Sequence, residues 1–175
     1  MMDKILVTYA SRTGNTAGVA DAIGKTLTDL GETVDIMRMQ DVADVSPYRA
    51  VIAGSAIRAG KWLPEAMEFI QTQKSVLAQK PVAAFLVCMT LAMPKAEEYR
   101  PHVTTWLDPV KAIIKPVSEG LFAGSLDIRE ITSFADRLKF RLSVMFGVWK
   151  EGDHRDWDAI GKWAESLVPL LNAGL

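Results

Sequence analysis

The residues nearest the start of the chain that could do chemistry are Ser11, Arg12, Thr13, Gly14, Asn15 and Thr16. They put three hydroxyls, a carboxamide and a guanidinium in six consecutive positions, directly after the strand-forming run Ile5-Leu6-Val7-Thr8-Tyr9. A turn with a helix N-cap is the simpler reading of such a stretch. The number of hydroxyls points further, to an anion cradle. A helix beginning here leaves N–H groups without intrahelical acceptors, and with the hydroxyls of Ser11, Thr13 and Thr16 and the Asn15 amide they would satisfy the oxygens of one terminal phosphate. Arg12 is not required, because dipoles can do this work without a full charge.

Other phosphate motifs do not fit. No Gly-x-Gly-x-x-Gly follows the first strand, which argues against a dinucleotide-binding unit. The stretch from Gly18 to Thr26 superficially looks like a Walker A loop, but it has five residues between its glycines and lies within helical periodicity. A phospho-acceptor receiver needs acids at the ends of strands one and three, where this chain has Tyr9-Ala10 and Ala53-Gly54. Among the remaining reactive side chains, Cys88 closes an apolar run and reads as core. His102 reads as structural or exposed, with a proton-transfer role open to it if the fold brings it to the site. His154 stands among Asp153, Arg155, Asp156 and Asp158, but Asp156 caps a helix more simply than the group binds a metal, and no metal is expected.

Periodicity places these residues on elements. Strands are expected at 4–9, 33–37, 50–54, 81–89 and 115–124, and helices at 15–30, 63–74, 96–114 and 156–171. Gly31 ends the first helix, Pro64 opens the second, and Pro101 and Pro109 kink or split the third. The nearly unbroken apolar run 81–89 marks a strand buried on both faces at the centre of a parallel sheet. Strands alternating with helices give an α/β doubly wound fold. Residues 125–155 exceed what a crossover needs and form an insert in a single domain spanning 1–175.

Composition sets outer bounds. The 175 residues are 49% hydrophobic and 23% charged, with a formal net charge of −1 and one cysteine. This balance excludes a disordered chain and offers no global attraction to nucleic acid. A lone cysteine fits a reducing compartment, and the opening Met1-Met2-Asp3-Lys4 enters a strand with no secretory pattern, so a cytoplasmic location is expected.

The pattern Ser11-Arg12-Thr13-Gly14-Asn15-Thr16, after a strand and before a helix, resembles the FMN-phosphate loop Ser/Thr-x-Thr-Gly-x-Thr of the flavodoxin family. The resemblance implies a five-stranded sheet of order 2-1-3-4-5 with FMN as cofactor. It maps the flavin ring onto the loops after strands three and four: Ser55, Ala56, Ile57, Arg58, Gly60, Lys61 and Trp62, and Thr90, Leu91, Ala92 and Met93. Trp62 is then a candidate to stack on the ring. Arg58 is the candidate catalytic residue, stabilising charge on reduced flavin or meeting a substrate carboxylate, and Lys61 is a weaker candidate for the same role.

Three further stretches, Gly54-Ser55-Ala56-Ile57-Arg58-Ala59-Gly60, Gly124-Ser125-Leu126 and Gly152-Asp153-His154-Arg155-Asp156-Trp157, resemble the flavodoxin-like, menaquinone-dependent protoporphyrinogen dehydrogenase family, insert included. That resemblance implies oxidation of protoporphyrinogen IX to protoporphyrin IX in haem biosynthesis, with electrons passing through FMN to a quinone. The alternative functions are an FMN electron carrier without its own substrate and a flavin-free interaction domain.

The insert has a physical pattern of its own. Over 132–150 the cations Arg137, Lys139, Arg141 and Lys150 face the single acid Asp136, while Phe134, Leu138, Leu142, Met145 and Trp149 recur at helical spacing. Such a segment suits an anionic membrane surface, giving a peripheral cytoplasmic-face location, or an anionic hydrophobic ligand. Packing on the domain or in a homo-oligomer is the plainer use.

Overall fold

The computed structural model describes residues 4–173. Residues 1–3, expected to lead into the first strand, lie outside the described residues. Strands β1 (Lys4–Ala10), β2 (Thr33–Arg38), β3 (Ala50–Arg58), β5 (Val82–Cys88) and β6 (Ser118–Ala123) form a parallel sheet in the order β2-β1-β3-β5-β6. In sequence these are strands 2-1-3-4-5, as expected. The two-residue β4 (Lys61–Trp62) pairs back onto β3.

Strand alternation divides the core into two layers. From β1, Ile5 and Val7 face one layer, and from β5 so do Ala83, Phe85 and Val87. Helices α1 (Asn15–Asp29) and α6 (Trp157–Asn172) cover it with Val19, Ala20, Ile23 and Leu27 and with Ile160, Ala164, Leu167 and Leu171. Leu6 and Ala10 of β1 and Val82, Ala84, Leu86 and Cys88 of β5 face the other layer. That side is covered by α2 (Pro64–Leu77), α3 (Ala96–Thr104) and α4 (Asp108–Lys111). Every residue of β5 is buried, yet β3 holds the middle of the sheet and β5 is next to the edge strand β6. Burial on both faces marks an internal strand, not the central one.

The expected helix stops appear with their bonds. Glu32 N–H reaches Leu27 O at 3.0 Å beyond Gly31, and Asp156 accepts the Ala159 N–H at 2.9 Å to begin α6. The 96–114 segment is split: α3 runs through Pro101, a 3₁₀ turn follows at Thr105–Leu107, and α4 restarts with Pro109 in its first turn. At the sheet's amino end, half-buried Arg49 pairs with Glu32 and donates to Asn172 Oδ1 at 2.6 Å, tying the end of α6 to the start of β3.

Between β6 and α6 the chain leaves the sheet. Strands β7 (Ser125–Leu126) and β8 (Gly152–Asp153) pair antiparallel as a neck, and beyond them lies α5 (Phe134–Met145), capped by Ser133. No helix is long and apolar enough to cross a membrane among the described residues.

Candidate functional site

Strand register brings three loops to one rim. Ala10 is opposite Ser55, while Ser55 and Ala56 are opposite Leu86 and Val87, so the turns that follow β1, β3 and β5 lie side by side at the carboxyl end of the sheet. Ligands of doubly wound sheets bind at this end.

The turn after β1 carries donors without acceptors. Gly14 has φ +84°, a left-handed conformation that lets the chain enter α1 abruptly, and a side chain other than glycine's would be strained there. Ser11 Oγ accepts the Gly14 N–H at 3.1 Å, which leaves the Ser11 hydroxyl proton free to donate outward. No side chain caps the start of α1, so the N–H groups of its first turn keep the unmet donor capacity of any helix start. Thr16 is fully buried, and its Oγ1 has no hydrogen-bond partner among the described residues. A buried hydroxyl without a partner costs roughly 1–3 kcal/mol. At the N-terminus of a fifteen-residue helix, a phosphate oxygen would supply the missing acceptor, and the residues present fit that group.

Two side chains of this loop are engaged elsewhere. Arg12 turns away to pair with Glu65 of α2 at 3.0 Å, beside a polar cleft of about 190 Å³ that also includes Arg38 and Gln40. The Asn15 amide, expected to meet the phosphate, is bonded on both atoms to Ser125: Nδ2 donates to the Ser125 carbonyl at 2.8 Å, and Oδ1 accepts the Ser125 hydroxyl. Its second Nδ2 proton goes to Thr13 Oγ1 at 3.2 Å.

After β3 the expected open loop is instead a hairpin. β3 continues to Arg58, and Ala59 (φ +50°) and Gly60 (φ +71°) make the two-residue turn into β4, with Ile57 opposite Trp62 and Arg58 opposite Lys61. This return corrects the reading of Trp62. Its indole is 5% exposed within the apolar cluster under α2, so it has no open face for stacking. Ser55 is also interior: its hydroxyl donates to the Ala56 carbonyl at 2.8 Å and accepts the Leu63 N–H at 3.1 Å. Ala56 and Ile57 are half-buried, and Arg58 and Lys61 are exposed. Arg58 reaches Asp136 of α5 at 3.3 Å, linking the hairpin to the insert.

The aromatic beside this turn is Trp106, whose indole lies against Gly60 and meets the exposed His102 ring edge-on at 5.5 Å between centroids. Sequence reading missed Trp106 because it fell inside a segment read as helix. In the turn after β5, Thr90, Ala92 and Met93 are half-buried and Leu91 is buried. Burial pushes the Cys88 thiol up to about 11, which makes it a poor nucleophile at neutral pH.

The insert closes beside the cradle. Arg155, at its end, is gripped by Asp153 through two guanidinium bonds of 2.8 and 2.9 Å and stacks on Trp157. Its Nη1 reaches the Asn15 carbonyl at 3.5 Å. Gly18 makes room for it, since a Cβ there would stand 2.6 Å from Nη1. Farther out, α5 buries no residue, with Phe134 80%, Met145 70% and the following Phe146 75% exposed. A cleft of about 660 Å³ on its flank is lined by Arg129, Arg137, Arg141 and Glu151.

Comparison with known proteins agrees with this layout. The chain is 22% identical over 178 residues to protoporphyrinogen IX dehydrogenase [quinone] of Escherichia coli strain K12, covering 97% of each chain. The solved flavodoxin 2 of Bacillus cereus is 28% identical, with TM-score 0.52 over 82% of this chain and 97% of that one. The flavodoxin of Fusobacterium nucleatum bound to flavin mononucleotide has TM-score 0.56 at 14% identity, over 98% of this chain and 100% of that one. The family model for the flavodoxin domain matches residues 6–155. The chain belongs to the flavodoxin domain family.

Proposed function

We propose that this protein is an FMN-dependent oxidoreductase that takes electrons from protoporphyrinogen IX and passes them to a quinone. The observation that carries the cofactor is the buried, unpartnered Thr16 hydroxyl at the uncapped start of α1. The substrate rests on the likeness to the E. coli dehydrogenase, which spans 97% of both chains and so includes the insert.

When bound, FMN would supply the two-electron redox chemistry that links porphyrinogen oxidation to quinone reduction. The chain binds and orients. Ser11, Thr13, Thr16 and the first-turn N–H groups of α1 would hold the phosphate. Arg58 would present a cation to the substrate, whose propionate would replace Asp136 at little cost because the ion pair is exposed. His102, exposed next to Trp106, whose indole lies against the hairpin turn, is the candidate to carry a proton.

The insert meets the membrane that dissolves the quinone. At about 100° per residue, Phe134, Leu138, Leu142 and Met145 share one stripe of α5, with Arg137 and Arg141 on one flank and Lys139 on the other. The apolar stripe enters the interface while the cations meet anionic headgroups.

Anaerobic mixing of the FMN-loaded protein with protoporphyrinogen tests the reaction. Saturable bleaching of the flavin, reversed by a soluble quinone, is expected. A flavin that ignores the porphyrinogen and is reduced only by a reductase would make the protein an electron carrier.

A further inference from the structure

The residue at the centre of the cradle motif is spent on the insert. A carbonyl oxygen only accepts, so the Asn15 side-chain atom facing the Ser125 carbonyl at 2.8 Å must be Nδ2, and Oδ1 is left to take the Ser125 hydroxyl proton. Nδ2 has one more proton, which it gives to Thr13 Oγ1 at 3.2 Å. Both Nδ2 protons are then used. Thr13, having accepted one bond, keeps its own O–H to donate elsewhere, and it stands exposed in the loop.

Both stems of the insert converge here. Ser125 begins the insert and pairs with Asp153 across the β7–β8 neck, and the His154 N–H closes on the Gly124 carbonyl at 3.1 Å. From the other stem, Arg155 reaches the Asn15 backbone carbonyl through the gap left by Gly18. Residues 110 and 140 positions away in sequence thus hold the first residue of α1.

We infer that Asn15 is a positioning residue that couples the insert neck to the phosphate cradle: Ser125 fixes the Asn15 amide, the amide fixes the Thr13 hydroxyl, and phosphate binding in turn orders the neck. The inference rests on the FMN reading. Linkage requires the coupling to be reciprocal, so whatever factor the neck adds to phosphate affinity, the phosphate adds to neck order.

Riboflavin provides the control, because it has the FMN ring and ribityl chain but no phosphate. The wild type and Ser125→Ala are titrated with FMN and with riboflavin by flavin fluorescence. The FMN Kd is expected to rise about tenfold in Ser125→Ala while the riboflavin Kd stays unchanged. An unchanged FMN Kd, or an equal loss for both ligands, overturns the proposal. Hydrogen exchange on the wild type needs no variant to fold. FMN should slow the amides of residues 124–126 and 152–155, and riboflavin should not. Equal protection by both, or by neither, also overturns it. A wild type that binds neither flavin refutes the FMN reading itself, and the coupling falls with it.

Discussion

The Asn15 side chain and Ser125 exchange two hydrogen bonds although 110 positions separate them, which joins the phosphate loop to the base of the insert. The consequence is architectural. An insert rooted at this loop can be elaborated at its tip without disturbing the sheet, while its outer helix α5 is tied to the β3–β4 hairpin through the Arg58–Asp136 ion pair.

Thr16→Val should act with opposite signs on the empty and loaded protein. In the empty protein it removes a buried hydroxyl without a partner, and stability should rise by about 1 kcal/mol. In the loaded protein it removes a donor to a charged oxygen, worth about 1.5–3 kcal/mol, so FMN affinity should fall tenfold or more. Thermal melts with and without FMN read both. A parallel loss of stability in the two states would refute the assignment of Thr16 to the phosphate.

Acid should loosen the neck. The hydrogen bonds from Arg155 hold the Asp153 carboxyl below its ordinary value of 3.8. A depressed carboxylate adds stability that is fully present above the unfolded value and is lost as pH falls through the folded one. Exchange at residues 152–155, corrected for intrinsic rates, should therefore be flat from neutrality to about pH 4 and quicken below it, less steeply in high salt because the pair is partly exposed and screened. Asp153→Asn should abolish this dependence.

The hairpin turn stores strain at Ala59, whose φ of +50° is unfavourable for an L residue with a side chain. Ala59→Gly relieves it but adds chain entropy to the unfolded state, for a net gain of about 0.5 kcal/mol and about 1–2 °C in Tm. Ala59→Val, β-branched at positive φ, should lose at least about 1 kcal/mol. Melting curves decide, and a stabilised Val variant would contradict the turn geometry.

Deleting residues 133–147 removes α5 and spares Ser125, Asp153 and Arg155. FMN binding should be retained, while association with vesicles containing anionic lipid should weaken about tenfold or more. Cosedimentation of the loaded protein measures it. Undiminished association would take the membrane contact away from this helix.

What could be read from sequence was local. The cradle motif lies in a strand-turn-helix unit only a few residues long, and the caps at Gly31 and Asp156 depend on immediate neighbours. The apolar run 81–89 announces an internal strand by composition alone, but its rank in the sheet depends on partners that composition does not encode. The hairpin at Ser55 to Trp62 was hidden because its turn begins with Ala59, a residue type that rarely takes positive φ. Once the hairpin folds back, Trp62 is carried into the core, so a stacking aromatic and a core aromatic could not be told apart beforehand. The engagement of Asn15 by Ser125 and Arg155 is a long-range contact with no periodic signal, and Trp106 was masked by helical spacing around it.

The most direct test of the central claim is calorimetric titration of the purified protein with FMN. The account predicts 1:1 binding that Thr16→Val and Ser125→Ala both weaken, with inorganic phosphate competing. Absence of binding, or binding indifferent to phosphate and to both substitutions, would contradict the reading of Ser11 to Thr16 as a phosphate cradle.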